Sequence, residues 1–326
     1  MVLIRSVLGD LDPARLGRTD YHEHFFQISP LLPGDELDDE VLSAAEARLL
    51  RQSGFTAVID ATPTALGRNP EGVARISASQ DLRVVAATGA HRQEHYPAGH
   101  WLPGLTEVQL AQRFVTDLQI GLPVVDQPSS GRLARAPSGD PVRAGLVKAG
   151  IGYWRMTGFE RRVLAAAAAA HAETGAPIMV HLEYGSAAHE VLRVLDGDGV
   201  APHSVVLAHV DRNPDPVLHA DLAAAGAYLG YDGFSRTRNW PDTVLLDSLL
   251  RAAELGAGER LLLGGDVARR TRYVSYGGMP GLGYLGERVV PRLIAASLQL
   301  AELVLVANPA RLLTIAEGVA PTAGVL

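Results

Sequence analysis

Residues 204–230 read SVVLAHVDRNPDPVLHADLAAAGAYLG. A β-branched apolar run, 204–209, ends in His209. A helical pattern, 215–225, follows with Asp215 at its head, and after Gly226 comes a second apolar run, 227–231. Strand, turn, helix, turn and strand make one βαβ unit, whose strands are buried on both faces. The alternation fills the chain. The apolar runs predict strands at 17–24, 56–60, 83–88, 143–148, 177–181, 204–209, 227–231 and 260–266. Helical patterns lie at 39–53, 70–79, 106–120, 158–174, 187–197, 215–225 and 242–255. Eight units in 326 residues predict a (β/α)8 TIM barrel, an α/β fold in one domain spanning 1–326. A doubly wound open sheet is the alternative, but no Gly-rich phosphate fingerprint follows the first strand.

Local chemistry supports the element boundaries. Thr157 and Glu160 have capping-box spacing at the head of the 158–174 helix. The alanine run 165–170 favours that helix and lets it lie close to a sheet. Gly175 stops it, and Pro177 opens the next strand. Two loops are long: 121–141, rich in Pro, Ser and Gly, and 267–286, rich in Gly and Arg. Unstructured stretches of that length in a compact domain are usually functional lids or disordered. The second follows strand eight and so belongs to the face where barrels build their sites.

Composition narrows the classes. The chain is 47% hydrophobic and 20% charged, which excludes intrinsic disorder. A net charge of −7 argues against nucleic acid or an acidic membrane surface as partner. There is no cysteine, so disulfides, thiolate metal sites and a cysteine nucleophile are excluded. Charge comes too early in the opening residues for a signal peptide, and no apolar run is long enough to span a bilayer. The expectation is a cytoplasmic protein with a small-molecule substrate.

The residues that end the strands carry the chemistry. Strand one ends in Asp20-Tyr-His-Glu-His24, where His22 and His24, two apart, share a face. Strand four ends at Lys148, strand five at His181, strand six at His209 and strand eight at Asp266. C-terminal strand ends in a barrel read as catalytic. Four imidazoles, a carboxylate and an amine there point to a metal centre.

These pieces, with Gly145-Leu-Val-Lys148, Ala208-His-Val-Asp-Arg212 and Asn308-Pro309, resemble the amidohydrolase superfamily, specifically the phosphotriesterase and phosphotriesterase-related lactonase family. The resemblance spans nearly the whole chain, in order. It implies that His22, His24 and Asp266 hold one divalent ion and His181 and His209 a second, more exposed one. Lys148 would bridge them as a lysine carboxylated by carbon dioxide. An ammonium cannot ligate a cation, whereas a carbamate has two oxygens to span a two-metal site. The donor set suits zinc, with manganese or cobalt also compatible. A water bridging two such ions becomes hydroxide near neutral pH and attacks an ester-type centre. Asp266 is the expected acid–base group. Relatives are often dimers, so the resemblance also implies a homodimer.

The loops after strands seven and eight carry Arg236, Arg238, Arg269, Arg270 and Arg272 with Tyr273. Arginine forks suit phosphate or carboxylate, and barrels often place phosphate there. Arg236, Arg269, Arg270 and Tyr273 are therefore the expected substrate-binding set, unless these arginines pair with surface carboxylates or face a subunit interface. The reading is a lactonase for a sugar-type or otherwise anionic lactone, phosphorylated or not. Its rivals are an organophosphate triesterase, an acyl-homoserine lactonase, and a non-catalytic ligand-binding protein on the same barrel. His91, His95 and His100 either line the pocket or are solvated loop histidines. Tyr96, Trp101 and Trp154 are pocket walls or simple packing, and Asp211 and Arg212 are candidates to orient His209.

Overall fold

The computed structural model describes residues 2–129, 131–236 and 240–316. The chain opens with β1 (Val2–Ser6) and β2 (Gly9–Leu11), an antiparallel hairpin. Then come β3 (Thr19–Glu23), β4 (Ala57–Asp60), β5 (Arg83–Gly89), β6 (Ala144–Ile151), β7 (Ile178–Leu182), β8 (Val205–Ala208), β9 (Tyr228–Tyr231) and β10 (Leu261–Leu263). These eight are parallel, and each pairs with the next in sequence. Helices α1 (Glu40–Gln52), α2 (Pro70–Gln80), α3 (Glu107–Gln119), α4 (Gly158–Thr174), α5 (Ala188–Gly197), α6 (Pro216–Ala224) and α7 (Asp242–Ala252) alternate with them. Three short helices, α8 (Val290–Ala296), α9 (Leu298–Glu302) and α10 (Asn308–Leu313), follow β10. The Thr157–Glu160 capping box and the left-handed Gly175 cap bound α4 as expected, and its alanines at 166, 167, 168 and 170 are buried.

The barrel closes through side chains as well as backbone. β10 ends at Leu263, three residues short of the expected Asp266, because the next amides turn to the first barrel strand. Gly265 N–H donates to Asp20 Oδ1 at 3.3 Å, Asp266 N–H to the His22 carbonyl at 2.7 Å, and Val267 N–H to Glu23 Oε2 at 3.0 Å. Inside, Tyr21, Val85, Leu146, Met179, Val206 and Leu262 form a layer at most 1% exposed. Tyr21 fills the axis against β9: a Cβ at Gly230 would sit 1.9 Å from its hydroxyl, so only glycine fits there.

The termini add a floor that sequence patterning left unassigned. β11 (Ile315–Ala316) pairs antiparallel with β1, joining the two ends of the chain in a three-stranded sheet under the barrel. Two further boundaries differ. β6 continues past Lys148 to Ile151, and α7 gives way at Ala253 to a wider turn ending at Ala257.

Neither long loop hangs free. Loop 121–141 folds on itself, with bridges Pro123–Leu133 and Arg135–Pro141. Arg68 clamps it, bonding Asp126 at 2.6 and 2.7 Å while reaching Asp117 on α3 at 2.9 Å. All three side chains are under 10% exposed. Loop 267–286 is tied to α1, where Glu46 accepts the amides of Ser275 and Leu282 at 2.6 and 2.9 Å. Among the described residues no helix is long and apolar enough to cross a membrane.

Removing one partner of a buried ion pair strands the others, at about 3–5 kcal/mol. Arg68→Met is expected to lose that much stability in urea unfolding. It should also make residues 122–136 the first site cut in limited proteolysis. Cleavage and stability like those of the unaltered chain would contradict the clamp.

Candidate metal centre

Six side chains meet where the barrel strands end. His22 from β3, Lys148 from β6, His181 from β7, His209 after β8 and Asp266 after β10 share one cavity with His24, which follows β3. All six are at most 7% exposed. His22, His24 and Asp266 offer ligand atoms within 4.8 Å of one another. The His181 and His209 rings lie 4.4 Å apart, and those of His22 and His209 5.1 Å.

Each imidazole has one nitrogen tied back to the protein. His22 Nδ1 bonds Asp232 Oδ2 at 3.0 Å and His209 Nδ1 bonds Asp232 Oδ1 at 2.6 Å. His24 Nδ1 bonds Thr62 Oγ1 at 2.8 Å, and His181 Nε2 bonds Glu183 Oε2 at 2.9 Å. Because Thr62 gives its own proton to the Phe26 carbonyl, it accepts from His24. Every tied nitrogen therefore carries the proton, and every other ring nitrogen keeps a lone pair. Metal-binding histidines are oriented in this way. Burial lowers the pKa of all four rings, that of His209 to about 3, so they stand neutral and able to ligate. His22, His209 and Asp232 also lie close enough to enclose a cation. The protons on both Nδ1 atoms instead make Asp232 the outer carboxylate of two ligands.

Burial would raise the Asp266 carboxyl, but Arg236 and His22 outweigh it and hold it well below its usual range. Burial pushes Lys148 down to about 8 against the pull of Asp266 and Asp232. Its Nζ meets His22 Nε2 at 3.0 Å and Met179 Sδ at 3.2 Å, with no carboxylate bonded to it among the described residues. A buried amine held near 8 has a far larger neutral fraction at neutral pH than an ordinary lysine, and the neutral form is the one that adds carbon dioxide. The donor set thus fits a pair of divalent ions. The backbone is strained here, with φ of +68° at His209 and +42° at Asp266, as functional sites often are.

The expected substrate set is only partly assembled. Arg236 and Arg269 line the cavity. Arg270 does not: its guanidinium lies 5.3 Å from the Tyr276 ring centre. Tyr273 is fully buried and gives its hydroxyl to the His24 carbonyl, so it supports a ligand and cannot meet substrate. Arg238 lies outside the described residues. Arg272 takes the place expected of Arg270. Burial, with Arg236 and Arg269 nearby, pushes it down to about 10, still cationic at neutral pH.

Among the described residues neither Asp211 nor Arg212 hydrogen-bonds the His209 ring. Asp211 Oδ2 accepts the amides of Asp232 and Gly233 at 2.9 and 2.7 Å, and Arg212 bonds Asp266 at 3.2 Å. His91 and His95 line the cavity, whereas His100 stacks on Trp101. Tyr96 is buried packing, and Trp154 is 64% exposed. Sequence reasoning missed Asp232, Thr62 and Glu183. Asp232 had a signal, since it is one more polar residue directly after a barrel strand.

The phosphotriesterase family profile matches residues 3–313. The chain belongs to the phosphotriesterase family. It is a hydrolytic enzyme for ester-type bonds. It is 27% identical to a phospho-furanose lactonase of Mycoplasmopsis synoviae, covering 96% of this chain and 92% of that one. The crystal structure of a lactonase from Listeria monocytogenes superposes with a TM-score of 0.85 at 28% identity, over 97% of this chain and all of the other. The phosphotriesterase homology protein of Escherichia coli, solved with phosphate in its active site, gives 0.81 at 25% identity over 93% of this chain and 100% of that chain.

Asp232→Asn keeps the shape but cannot accept both imidazole protons without losing a bond. Losing such an outer partner typically costs 10–100-fold in metal affinity. With two ligands held by one carboxylate, we expect at least the upper end of that range in a competitive chelator titration. An affinity within two-fold of the unaltered protein would contradict this role.

Proposed function

We propose that this chain is a two-metal lactonase for a small anionic lactone, sugar-type and phosphorylated or carboxylated. The observation that carries the reading is the charge of the cavity over the centre. Its volume is about 290 Å³, and its lining includes five arginines against two carboxylates, in a chain of net charge −7. Among the described residues Arg272 has no carboxylate partner, so its guanidinium is available to an anion in the cavity. The names of the M. synoviae and L. monocytogenes relatives support the lactone, and the phosphate in the E. coli structure supports the anion. An organophosphate triester or an acyl-homoserine lactone would leave Arg272 without a task, since Arg212 and Arg236 also bond Asp266 and Arg269 bonds Asp35. A binding protein without catalysis would have no use for six filled ligand positions.

His22, His24 and Asp266 would hold one ion, His181 and His209 the other, and carboxylated Lys148 both. Zinc suits these donors. Two such ions supply an activated water and a Lewis acid for the carbonyl oxygen. Lys148 reaches its ligating form as its neutral amine adds carbon dioxide and releases one proton. Arg269 and Arg272 fix the anionic end of the lactone. Asp266, kept ionised by Arg236 and its histidines, takes the proton of the attacking water and passes it to the departing alkoxide. Asp232, Thr62 and Glu183 keep the four rings in one tautomer throughout.

Two experiments test this reading. Lys148→Ala should lose nearly all turnover and at least one metal per chain, with small carboxylates restoring part of both. Two metals and full turnover in that variant would contradict the carbamate. Arg272→Ala should raise KM on a phosphorylated lactone, because its contact is made in ground and transition states alike. A charged hydrogen bond of about 1.5–3 kcal/mol corresponds to a roughly 10–100-fold loss in kcat/KM. The dephosphorylated lactone should change far less. Equal losses on both substrates would place Arg272 in loop support.

A further inference from the structure

The arginines occupy one side of the cavity. Arg212, Arg236, Arg269 and Arg272 come from the loops after β8, β9 and β10, the sixth to eighth barrel strands. The loop after β5, the third strand, lies across the barrel from the seventh and brings His91 and His95 to the same cavity. Its only arginine, Arg92, is already neutralised by Glu94 and Glu183, both at 3.2 Å. The two imidazoles lie with ring centres 3.8 Å apart, tilted by 32°.

Both tautomers are set by neighbours. His91 Nδ1 accepts the Arg92 amide at 2.7 Å, which leaves the ring proton on Nε2. His95 Nδ1 meets Ser29 Oγ at 2.9 Å, and that oxygen already accepts the Leu31 amide at 3.2 Å. The Ser29 proton has no other acceptor among the described residues, so it goes to His95 Nδ1 and the His95 ring proton also sits on Nε2. Neither Nε2 has a protein partner among the described residues, and neither is sealed from solvent. The result is two uncharged N–H donors side by side in the lining of a cavity whose other lining donors are the arginines, Lys148 and the Gln27 amide.

We infer that His91 and His95 read neutral oxygens, the hydroxyls on the uncharged part of the substrate, while the arginines opposite hold its anionic end. The inference rests on the lactonase reading for the kind of molecule bound, and it deepens that reading. The substrate is two-ended, with the bond to be cut lying between the ends, over the metal ligands. His91 and His95 are thus specificity residues, and Ser29 is a positioning residue that acts through His95. An isolated loop histidine kept only for packing would not need a serine to fix its tautomer.

The test uses the metal-loaded protein and ligands that cannot be hydrolysed. Binding of an aldopentose phosphate and its monodeoxy analogues is measured by calorimetry for the unaltered protein, His95→Phe, His95→Gln and Ser29→Ala. One neutral hydrogen bond lost in a pocket is worth roughly three- to ten-fold. The unaltered protein should prefer the parent over at least one deoxy analogue by that factor. His95→Phe should erase the preference, and His95→Gln, which keeps an N–H near the same place, should retain most of it. Ser29→Ala should reduce it and shift the His95 tautomer signature in nitrogen NMR. Equal weakening of parent and analogues in His95→Phe and Ser29→Ala, or no preference in the unaltered protein, overturns the inference. The lactonase reading is checked separately on a phosphorylated lactone. Discrimination without lactone opening keeps the donor wall and removes the lactonase; opening without discrimination does the reverse.

Discussion

A single carboxylate, Asp232, organises the centre of this barrel. It is fully buried and receives the Nδ1 protons of His22 and His209 together with the Tyr21 hydroxyl. An ion buried so deeply is tolerable only when its oxygens are hydrogen-bonded. Burial would raise its pKa, but the His209 and His22 rings hold it well below the usual carboxylate range. Its own backbone is held by Asp211, which accepts the amides at 232 and 233. One anion thereby ties together the first, sixth and seventh barrel strands and fixes the proton positions of two imidazoles that the proposed centre places on different metals. The sites would not be independent: disturbing Asp232 disturbs both.

The surrounding charges follow from that arrangement. Asp20, Glu23, Asp211, Asp232 and Asp266 are all buried beside or beneath the ligands. Burial pushes Asp20 up to about 8, Asp211 to about 7 and Glu23 well above its usual range, toward their neutral forms, and the anions that remain, Asp232 and Asp266, call for cations. Two divalent ions would supply part of them, and the arginines on the upper loops supply the rest. Arg236 and Arg212 both reach Asp266, so the ligand of the centre and the wall that would bind an anion are electrostatically linked. The same wall stands opposite two uncharged imidazoles. Charge is therefore sorted across the cavity, which gives a substrate one way to lie over the ligands.

How much of this could be read from the chain depended on distance along it. The barrel was legible because the strand–helix period is local, and the cluster of six side chains was legible because imidazoles, an amine and a carboxylate sit within a few residues of strand ends. The helix α4 boundaries were legible from Thr157, Glu160 and Gly175. The partners of the ligands were not. Asp232 meets His22 across 210 residues, and that contact exists only once the barrel has closed. The terminal sheet was hidden for the same reason, since β1 pairs with residues 315 and 316. Arg270 and Tyr273 failed differently. Loop 267–286 folds into tight turns anchored on Glu46 and Asp35, so neighbouring residues face opposite ways. Composition placed arginines on the right loop but could not say that Arg272 faces in while Arg270 lies on Tyr276.

The central claim is that these side chains form one two-metal centre bridged by a carboxylated lysine. Native mass spectrometry of the protein reconstituted with zinc and bicarbonate tests it most directly. The account requires two metal ions per chain together with the added mass of one carbon dioxide, located on Lys148 by fragmentation. Both should be lost when Lys148 is replaced by alanine. A chain that carries a single ion, or two ions on an unmodified Lys148, would contradict it.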